Sequence, residues 1–520
     1  MPNSPTVPLP EPLKQKIKDA LVALSLANLC LLKVSFDLLS DQDRFFTKLP
    51  VTTPMLLALA VNGFVLTLLF WLVLQVRRRF QSAWLRLPVH LLFFLLLLYP
   101  LDFVRIKLTN IVDYQIYQFG KQPVVLLGGV ALLALLVWWH RPVARAAAFV
   151  VAILSPLAIF LLIKLTLVGL GLSHLRECPD GRLQPSLPVR AGQPRVVWIV
   201  FDETDYRLAF EQRPAGLQLP EFDRLRQASL FATKAYSPGN YTLFSMPALI
   251  SGRQPADVVC SDAGELSLTL ADTGATTNWG ALPSVFSGAR ALGANTALVG
   301  WYIPYGRELA GVLNFCEWFP YPPYQPCRGE TFDLSLRLQL DSLTETFHLR
   351  RMFGQLHRDN LRAALGVATN AAYGLTLLHL PAPHKPGVYL PDQDRFTVGF
   401  SSLTQGYFNN LVLADREFGQ IRRAMESAGL WDKTWVILSS DHSWRQSGYF
   451  DGKRDFRVPF MVKPPGGHLA MDYDKQFNTL VTHDLILALL KNEITNQPDV
   501  ANWLDAHGKA LMTDPSVMHE

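Results

Sequence analysis

The chain has 520 residues, 49% of them hydrophobic, with a net charge of +5 and five cysteines. That length can bury two or three separate cores, and the small charge, without basic stripes or interleaved aromatic residues, excludes a nucleic-acid-binding face. Apolar residues are unevenly spread: long apolar runs fill residues 1–172, and a mixed sequence rich in Pro, Gly and aromatic residues follows, so two solvents are implied.

A helix that crosses hydrocarbon needs about 20 mostly apolar residues. Five stretches qualify, at 17–39, 53–76, 88–105, 123–139 and 146–172. No small-residue cleavage site follows the first and four more come after it, so it reads as a span and not as a cleaved leader. Lys and Arg beside the spans set the orientation. Lys14, Lys16 and Lys18 precede the first span, Arg77, Arg78, Arg79 and Arg86 separate the second from the third, and Arg141 and Arg145 separate the fourth from the fifth. With five spans all three groups fall on one side, which places the N-terminus in the cytoplasm and the chain beyond residue 172 on the outer face of a bacterial inner membrane. Arg105 and Lys107 fall on the outer side as a mild exception. Lys33 and Lys164 lie inside spans, where a charge marks a function or reaches for the interface.

Cys178, Cys260, Cys316 and Cys327 fall in the external part. An even number in an oxidising compartment leads us to expect one or two disulfides, with Cys316 and Cys327 the best local pair. No CxxC or Cys/His zinc spacing is present.

Residues 173–194 carry Pro, Gly and Arg without any period and read as a linker, followed by an external domain over 195–520. Its first segment, "RVVWIVFDETD", is an apolar run, Val196 to Phe201, ending in acids. Short apolar runs bounded by polar turns predict buried strands here and at 295–300, 373–380, 434–442 and 458–463. Helix-like segments at 282–293 and 407–429 lie between them. Strands alternating with helices predict an α/β domain with a mainly parallel central sheet, whose ligand site lies beyond the carboxyl ends of the strands.

Polar residues at those ends are therefore the candidates. Asp202 and Glu203 close the first strand, and Asp441 and His442 close another in "SSDHSW". Thr242 starts a short helix in "YTLFSMPALISGR". As an N-cap it needs no further role, yet a helix N-terminus also holds an anionic oxygen. Carboxylates, an imidazole and a deprotonated hydroxyl together make a suitable shell for Zn²⁺ or Mn²⁺.

The ordered segments "VVWIVFDETDY", "YTLFSMPALISGR", "TALVGWY", "LHLPAPHKP", "SSDHSW" and "DGKRDFRVPFMVKPPG", spread over about 270 residues, resemble the alkaline phosphatase/sulfatase superfamily. The resemblance implies that Glu203, Thr242, Asp441 and His442 bind a metal, with Asp202 an extra ligand, and that Thr242 is the nucleophile. It implies that His384 and His379 contact phosphate or sulfate oxygens or protonate a leaving group, and that Lys453 binds substrate.

Sulfatases mature a Cys or Ser within "C/S-x-P-x-R" to formylglycine. Here Thr242, Phe244 and Met246 stand at the Cys, Pro and Arg positions, and Trp301 and Ile303 replace the sulfate-contacting Lys and His. "TLFSMPALIS" instead resembles the membrane phosphoethanolamine and phosphoglycerol transferases, including lipoteichoic acid synthases. That branch has five spans and an external catalytic domain. It implies a metal-dependent transfer in which Thr242 takes the head group from a membrane phospholipid donor and passes it to an envelope glycan or lipid acceptor. "FDETDYR" departs from the "GETxR" of the phosphoethanolamine enzymes, and "SWRQSGYF" replaces a Gly-Glu-rich segment. The donor is therefore left open. A membrane-anchored sulfatase-like phosphodiesterase or sulfate ester hydrolase is the alternative, followed by a non-catalytic envelope scaffold.

Overall fold

The fold comes from a computed structural model that describes residues 11–40, 47–80, 82–109, 120, 122–172, 178–261, 264–324, 327–466 and 470–508. Residues 1–10, 173–177 and 509–520, which belong to the predicted membrane domain, linker and external domain, lie outside the described residues, as does the side chain of Lys107. The chain divides into two compact units. One joins Met1–Asp43, Pro50–Arg176 and Gln325–Glu345; the other joins Arg44–Leu49, Glu177–Tyr324 and Thr346–Glu520.

The first unit contains α1 (Glu11–Cys30), α2 (Leu32–Leu39), α3 (Thr53–Arg79), α4 (Ala83–Thr109), α5 (Pro123–Trp138), α6 (His140–Ile153) and α7 (Pro156–Gly169). All five predicted stretches fall on helices, and among the described residues three, or four counting a bent pair, have the length and apolarity of a span. Thr53–Arg79, Trp84–Arg105 and His140–Gly169 are long and apolar enough, and α1 with α2, bent by 59°, adds a fourth if the pair is one span. The stretch 123–139 forms α5, whose 16 residues fall short of the length a bilayer asks for. Phe64, Leu127 and Phe160 are 70%, 70% and 68% exposed, the pattern of a surface that meets lipid. Lys33 and Lys164 are half-buried, and Arg105 pairs with Asp102 at 2.7 Å.

This unit also takes in a segment from far along the chain. On helix Phe332–Asp341 the Gln339 amide donates to the Met55 carbonyl at 2.9 Å, while the Asn62 amide donates to Leu336 O at 3.2 Å and Gln339 Oε1 at 3.1 Å. Arg328, just before it, meets Asp37 at 3.3 Å with both side chains buried. Polar pairs of this kind hold apolar helices together where no water competes.

In the second unit, strand β1 (Val196–Asp202) is buried at every residue. Val196, Trp198 and Val200 face one core, and Val197, Ile199 and Phe201 face the other, the period-two alternation of a strand covered on both sides. The other strands of its eight-stranded main sheet are β2 (Leu230–Ala232), β3 (Thr296–Trp301), β4 (Phe315–Phe319), β5 (Leu375–Pro383), β6 (Trp435–Ser440), β7 (Phe460–Lys463) and β8 (Met471–Tyr473), in the order β8-β2-β7-β6-β1-β5-β3-β4. Only the pairs of β7 with β6 and with β2 are antiparallel; the remaining neighbours run parallel. Helix α8 (Thr242–Ser251) packs Met246, Leu249 and Ile250 on one face, and helix Leu403–Ser427 packs Leu411 and Phe418 on the other. The expected α/β sandwich is present, with β1 at its centre.

The expected disulfides are not formed. All five cysteines are free: Cys316 lies on β4 in the second unit, and Cys327 is buried in the apolar core of the first. Eleven positions of sequence separation drew the pair together on paper, but the chain crosses between units inside that interval.

Candidate metal centre and nucleophile

Parallel strands bring their carboxyl ends to one edge. In register, Phe201 of β1 lies opposite Ser440 of β6, and Val200 lies opposite His379 of β5. Residues just past these positions therefore converge. The Ser440 hydroxyl donates to the Phe201 carbonyl at 2.7 Å and accepts from the Thr204 amide at 2.9 Å, which ties the two strand ends together.

Asp441 is fully buried and divides its work between its two oxygens. Oδ1 accepts the amides of Glu203 at 3.2 Å and His442 at 2.8 Å, and Oδ2 accepts the Thr242 hydroxyl at 2.8 Å. Thr242 Oγ1 lies 3.3 Å from Asp202 Oδ2 and 3.5 Å from His442 Nε2. His442 Nδ1 donates to the Ser443 carbonyl at 2.9 Å, so its Nε2 carries the lone pair and faces the carboxylates, the tautomer a metal ligand needs. Nε2 is 3.6 Å from Asp202 Oδ1 and 3.5 Å from Asp441 Oδ2.

Asp202, Asp441 and His442 offer ligand atoms that all lie within 4.8 Å of one another. Asp202 Oδ1 is buried without a hydrogen-bond partner among the described residues. Burial first, then the carboxylates of Asp441 and Glu203, raise the Asp202 carboxyl well above its ordinary range. A buried acid cluster with an orphaned oxygen and an inward imidazole lone pair fits a divalent cation.

Glu203 follows β1 in the left-handed region, at φ 65°. Its carbonyl accepts the Tyr407 hydroxyl, and its Oε1 accepts Arg445 Nε at 2.8 Å. It stands outside the close Asp-Asp-His group, although Oε2 is buried and unpartnered among the described residues. Burial alone would push its carboxyl up, but His384, His442 and Arg445 together hold it at about 2. The carboxylate is thus charged and clamped, with one oxygen still to satisfy. Arg445 was not legible in the sequence: three positions after His442, it has no motif of its own.

Thr242 is the first residue of α8 and not its cap. Tyr241 occupies the N-cap without a side-chain bond, and the Thr242 hydroxyl points at carboxylates instead of backbone. The amides of Phe244 and Ser245 donate to the Tyr241 carbonyl, each at 3.0 Å, and the Thr242 hydroxyl stands at the positive end of the helix. Met246, at the sulfatase arginine position, is wholly buried in the core. Trp301 is likewise buried, its ring 5.1 Å from that of His384, and Ile303 is a core residue.

His384 Nδ1 donates to the Lys385 carbonyl at 2.6 Å, so Nε2 is left as an acceptor. Burial, opposed by Glu203, lowers its pKa to about 4. His379 is buried on β5, with Nδ1 2.8 Å from the Tyr305 hydroxyl and Nε2 unpartnered among the described residues; burial again lowers it to about 4. Lys453 is exposed, and its described bonds run through its backbone, to Asp451 and Arg207. Among the described residues no hydrogen bond or ion pair ties its ammonium group to the cluster.

A mainly parallel α/β sheet with acids, an imidazole and a hydroxyl at the ends of β1, β6 and α8 is the arrangement of a superfamily whose members act on sulfate or phosphate esters with a metal. The sulfatase family model matches residues 194–491, more than half of the chain, and the chain belongs to the sulfatase family, within the metal-dependent alkaline phosphatase/sulfatase superfamily. No curated protein sequence matches it. Similar solved structures include the phosphonate monoester hydrolase of Agrobacterium radiobacter, at 16% identity over 57% of this chain and 74% of that one, with a TM-score of 0.38. A protein of the alkaline phosphatase superfamily from Vibrio parahaemolyticus matches at 14% identity over 60% and 72%, TM-score 0.38. Murine ectonucleotide pyrophosphatase/phosphodiesterase 5 matches at 10% identity over 57% and 95%, TM-score 0.37.

Proposed function

We propose that the chain is a membrane-bound phosphotransferase, which moves a phospho-alcohol head group, phosphoethanolamine or phosphoglycerol, from a membrane phospholipid to an envelope glycan or lipid through a phospho-threonine. The observation that carries this reading is the Thr242 hydroxyl, 2.8 Å from a buried Asp441 oxygen and beside Asp202 and His442. The position that sulfatases fill with formylglycine is here a hydroxyl that can hold a phosphoryl group.

Asp202, Asp441 and His442, with Glu203 and Thr242 beside them, would hold Zn²⁺ or Mn²⁺. That ion lowers the pKa of a bound hydroxyl and neutralises charge on phosphoryl oxygens. In the first displacement, Thr242 Oγ1 bonds to phosphorus as the bond from phosphorus to the diacylglycerol oxygen breaks. The Thr242 proton passes to solvent, which also protonates the departing alkoxide; Asp441 Oδ2, already beside the hydroxyl, orients it. In the second, an acceptor hydroxyl attacks phosphorus and the Thr242 oxygen leaves, to be reprotonated from solvent. His384, neutral with its Nε2 free to accept, takes the proton of the attacking hydroxyl and releases it to solvent.

The membrane helices support a substrate that cannot leave a bilayer. The cytoplasmic N-terminus and periplasmic catalytic domain remain part of this proposal and require that the chain cross back through α5 as a fifth pass, a reading supported by Arg86 at the start of α4 and Arg141 at the start of α6 lining one cavity with Lys18, Arg77, Arg78 and Arg145.

Mass spectrometry of the intact metal-loaded protein incubated with phospholipids tests the reading. A head-group phosphate mass on Thr242 that is discharged by glycan or lipid acceptors is expected. Discharge to water alone, with release of the phosphate ester, identifies a phosphodiesterase instead. Absence of any adduct from every head group, with turnover of aryl sulfates, identifies a sulfate ester hydrolase.

A further inference from the structure

The first unit holds a second charged site, opposite in sign to the metal centre and unused by the reaction. A cavity of about 560 Å³ opens among α1, α3, α4 and α6, and six cations line it: Lys18, Arg77, Arg78, Arg86, Arg141 and Arg145. The lining includes a single carboxylate, Asp19. Six like charges around one cavity repel one another unless an anion lies among them.

These cations are positioned and do not simply trail into water. Asp19 is engaged by Arg78 at 2.6 Å and by the Gln75 amide at 3.1 Å. Arg77 donates to His90 Nε2 at 3.0 Å. His90 must then carry its proton on Nδ1, which donates to His140 Nδ1 at 2.7 Å. Both imidazoles are buried, at 5% and 8% exposure, so a relay of neutral rings from α6 through α4 fixes the guanidinium of α3. Arg77 Nε and Arg78 Nε are buried without a hydrogen-bond partner among the described residues. Topogenic charge alone needs no such relay and no orphaned donors.

The remaining wall is apolar, with Val22, Leu74, Phe93 and Ala148 lining the same cavity. A soluble anion has no use for that wall, whereas a phospholipid fills both parts, phosphate at the arginines and glycerol and upper chain against the apolar side.

We propose that this cavity binds the phosphate-bearing head group of an anionic phospholipid from the leaflet at its end of the bundle. The site is separate from the acidic centre around Asp441 and serves to hold lipid, not to transform it.

The test uses the full chain in phosphatidylcholine nanodiscs doped with phosphatidylglycerol or cardiolipin, extracted for native mass spectrometry. Retention of the anionic lipid over phosphatidylcholine is expected. At about a fivefold loss of affinity per basic residue, the Arg77→Gln/Arg86→Gln/Arg141→Gln variant should bind on the order of a hundredfold more weakly, while Arg105→Gln, outside the cavity, matches the parent. Equal retention by parent and triple variant overturns the proposal. Displacement by millimolar inorganic phosphate or pyrophosphate overturns the lipid assignment in favour of a soluble anion. A measurement on the parent protein covers a variant that fails to fold: a head-group photo-crosslinking phosphatidylglycerol should label the ends of α3, α4 and α6 that line the cavity, and labelling confined to other segments overturns the site. None of these readouts depends on Thr242 chemistry, so failure here leaves the transferase reading standing.

Discussion

The two units bury charge in opposite ways. The sulfatase domain gathers Asp202, Glu203 and Asp441 at one sheet edge and holds them apart from water with only partial compensation, from Arg445 and from backbone amides. The helical unit gathers six cations around one carboxylate. In each case the protein leaves its cluster short of counter-charge and leaves polar atoms unpartnered among the described residues, Asp202 Oδ1 and Glu203 Oε2 in the first and two guanidinium Nε atoms in the second. A fold with only structural demands would pair such groups; an incomplete cluster is completed by a ligand of opposite sign, a cation in the domain and an anion in the bundle.

The largest effect is expected at Thr242. Thr242→Ala should lower turnover by roughly 10⁴- to 10⁶-fold, as loss of a nucleophile does, with metal content retained; measurable residual turnover of the same substrates at a tenth of the parental rate would remove Thr242 from the chemistry. Next is the acidic cluster itself. Asp441→Ala removes both a proposed ligand oxygen and the acceptor of two amides, so bound metal should fall to background in elemental analysis. Stability should fall by about 2–4 kcal/mol in denaturant titration, one to two buried donors being left unmade.

A smaller effect is expected at Glu203. Glu203 is held at about 2, below its ordinary value of 4.5. A depressed carboxyl contributes stability that is present above the unfolded value and lost as pH falls through the folded one. The metal-free domain should therefore lose stability between about pH 4.5 and 2, and Arg445→Gln should move that loss to higher pH; an unchanged acid-unfolding profile would show that Arg445 does not set the charge on Glu203. The smallest effect lies in the helical unit, where Asn62→Ala leaves Leu336 O and Gln339 Oε1 without their donor. We expect about 1–2 kcal/mol of lost stability, read as earlier proteolysis near residues 332–341; unchanged cleavage would mean that the helix is held by its apolar contacts alone.

Much of the domain was legible in advance because buried parallel strands are written as uninterrupted apolar runs. The segments at 196–201, 295–300, 373–380, 434–442 and 458–463 all coincide with strands, and the polar residues that end the first, third and fourth lie at or beside the cluster. Short strands such as Leu230–Ala232 and Met471–Tyr473 were not legible, since three residues carry no period. Helix 345–368 and the docking of helix Phe332–Asp341 also escaped, because the partners of Gln339 and Arg328 stand nearly three hundred positions earlier in the chain. Asp202 and Glu203 were both visible as acids, but which of them joins Asp441 and His442 depends on the turn at Glu203, where φ is 65° and the side chain swings to Arg445.

By itself the sequence determined an apolar helical N-terminal third, an α/β domain of the sulfatase family and a set of acids, imidazoles and a threonine at its strand ends. Periodicity and local composition are enough for those, because each is set by neighbours within a few residues. Only the tertiary structure decided that Thr242 is not a helix cap, that Arg445 clamps Glu203, that Cys316 and Cys327 fall in different compact units, and that three separate basic segments close around one cavity. Each of these is a contact between groups distant in the chain, fixed by strand register or helix packing and by where buried charge finds a partner.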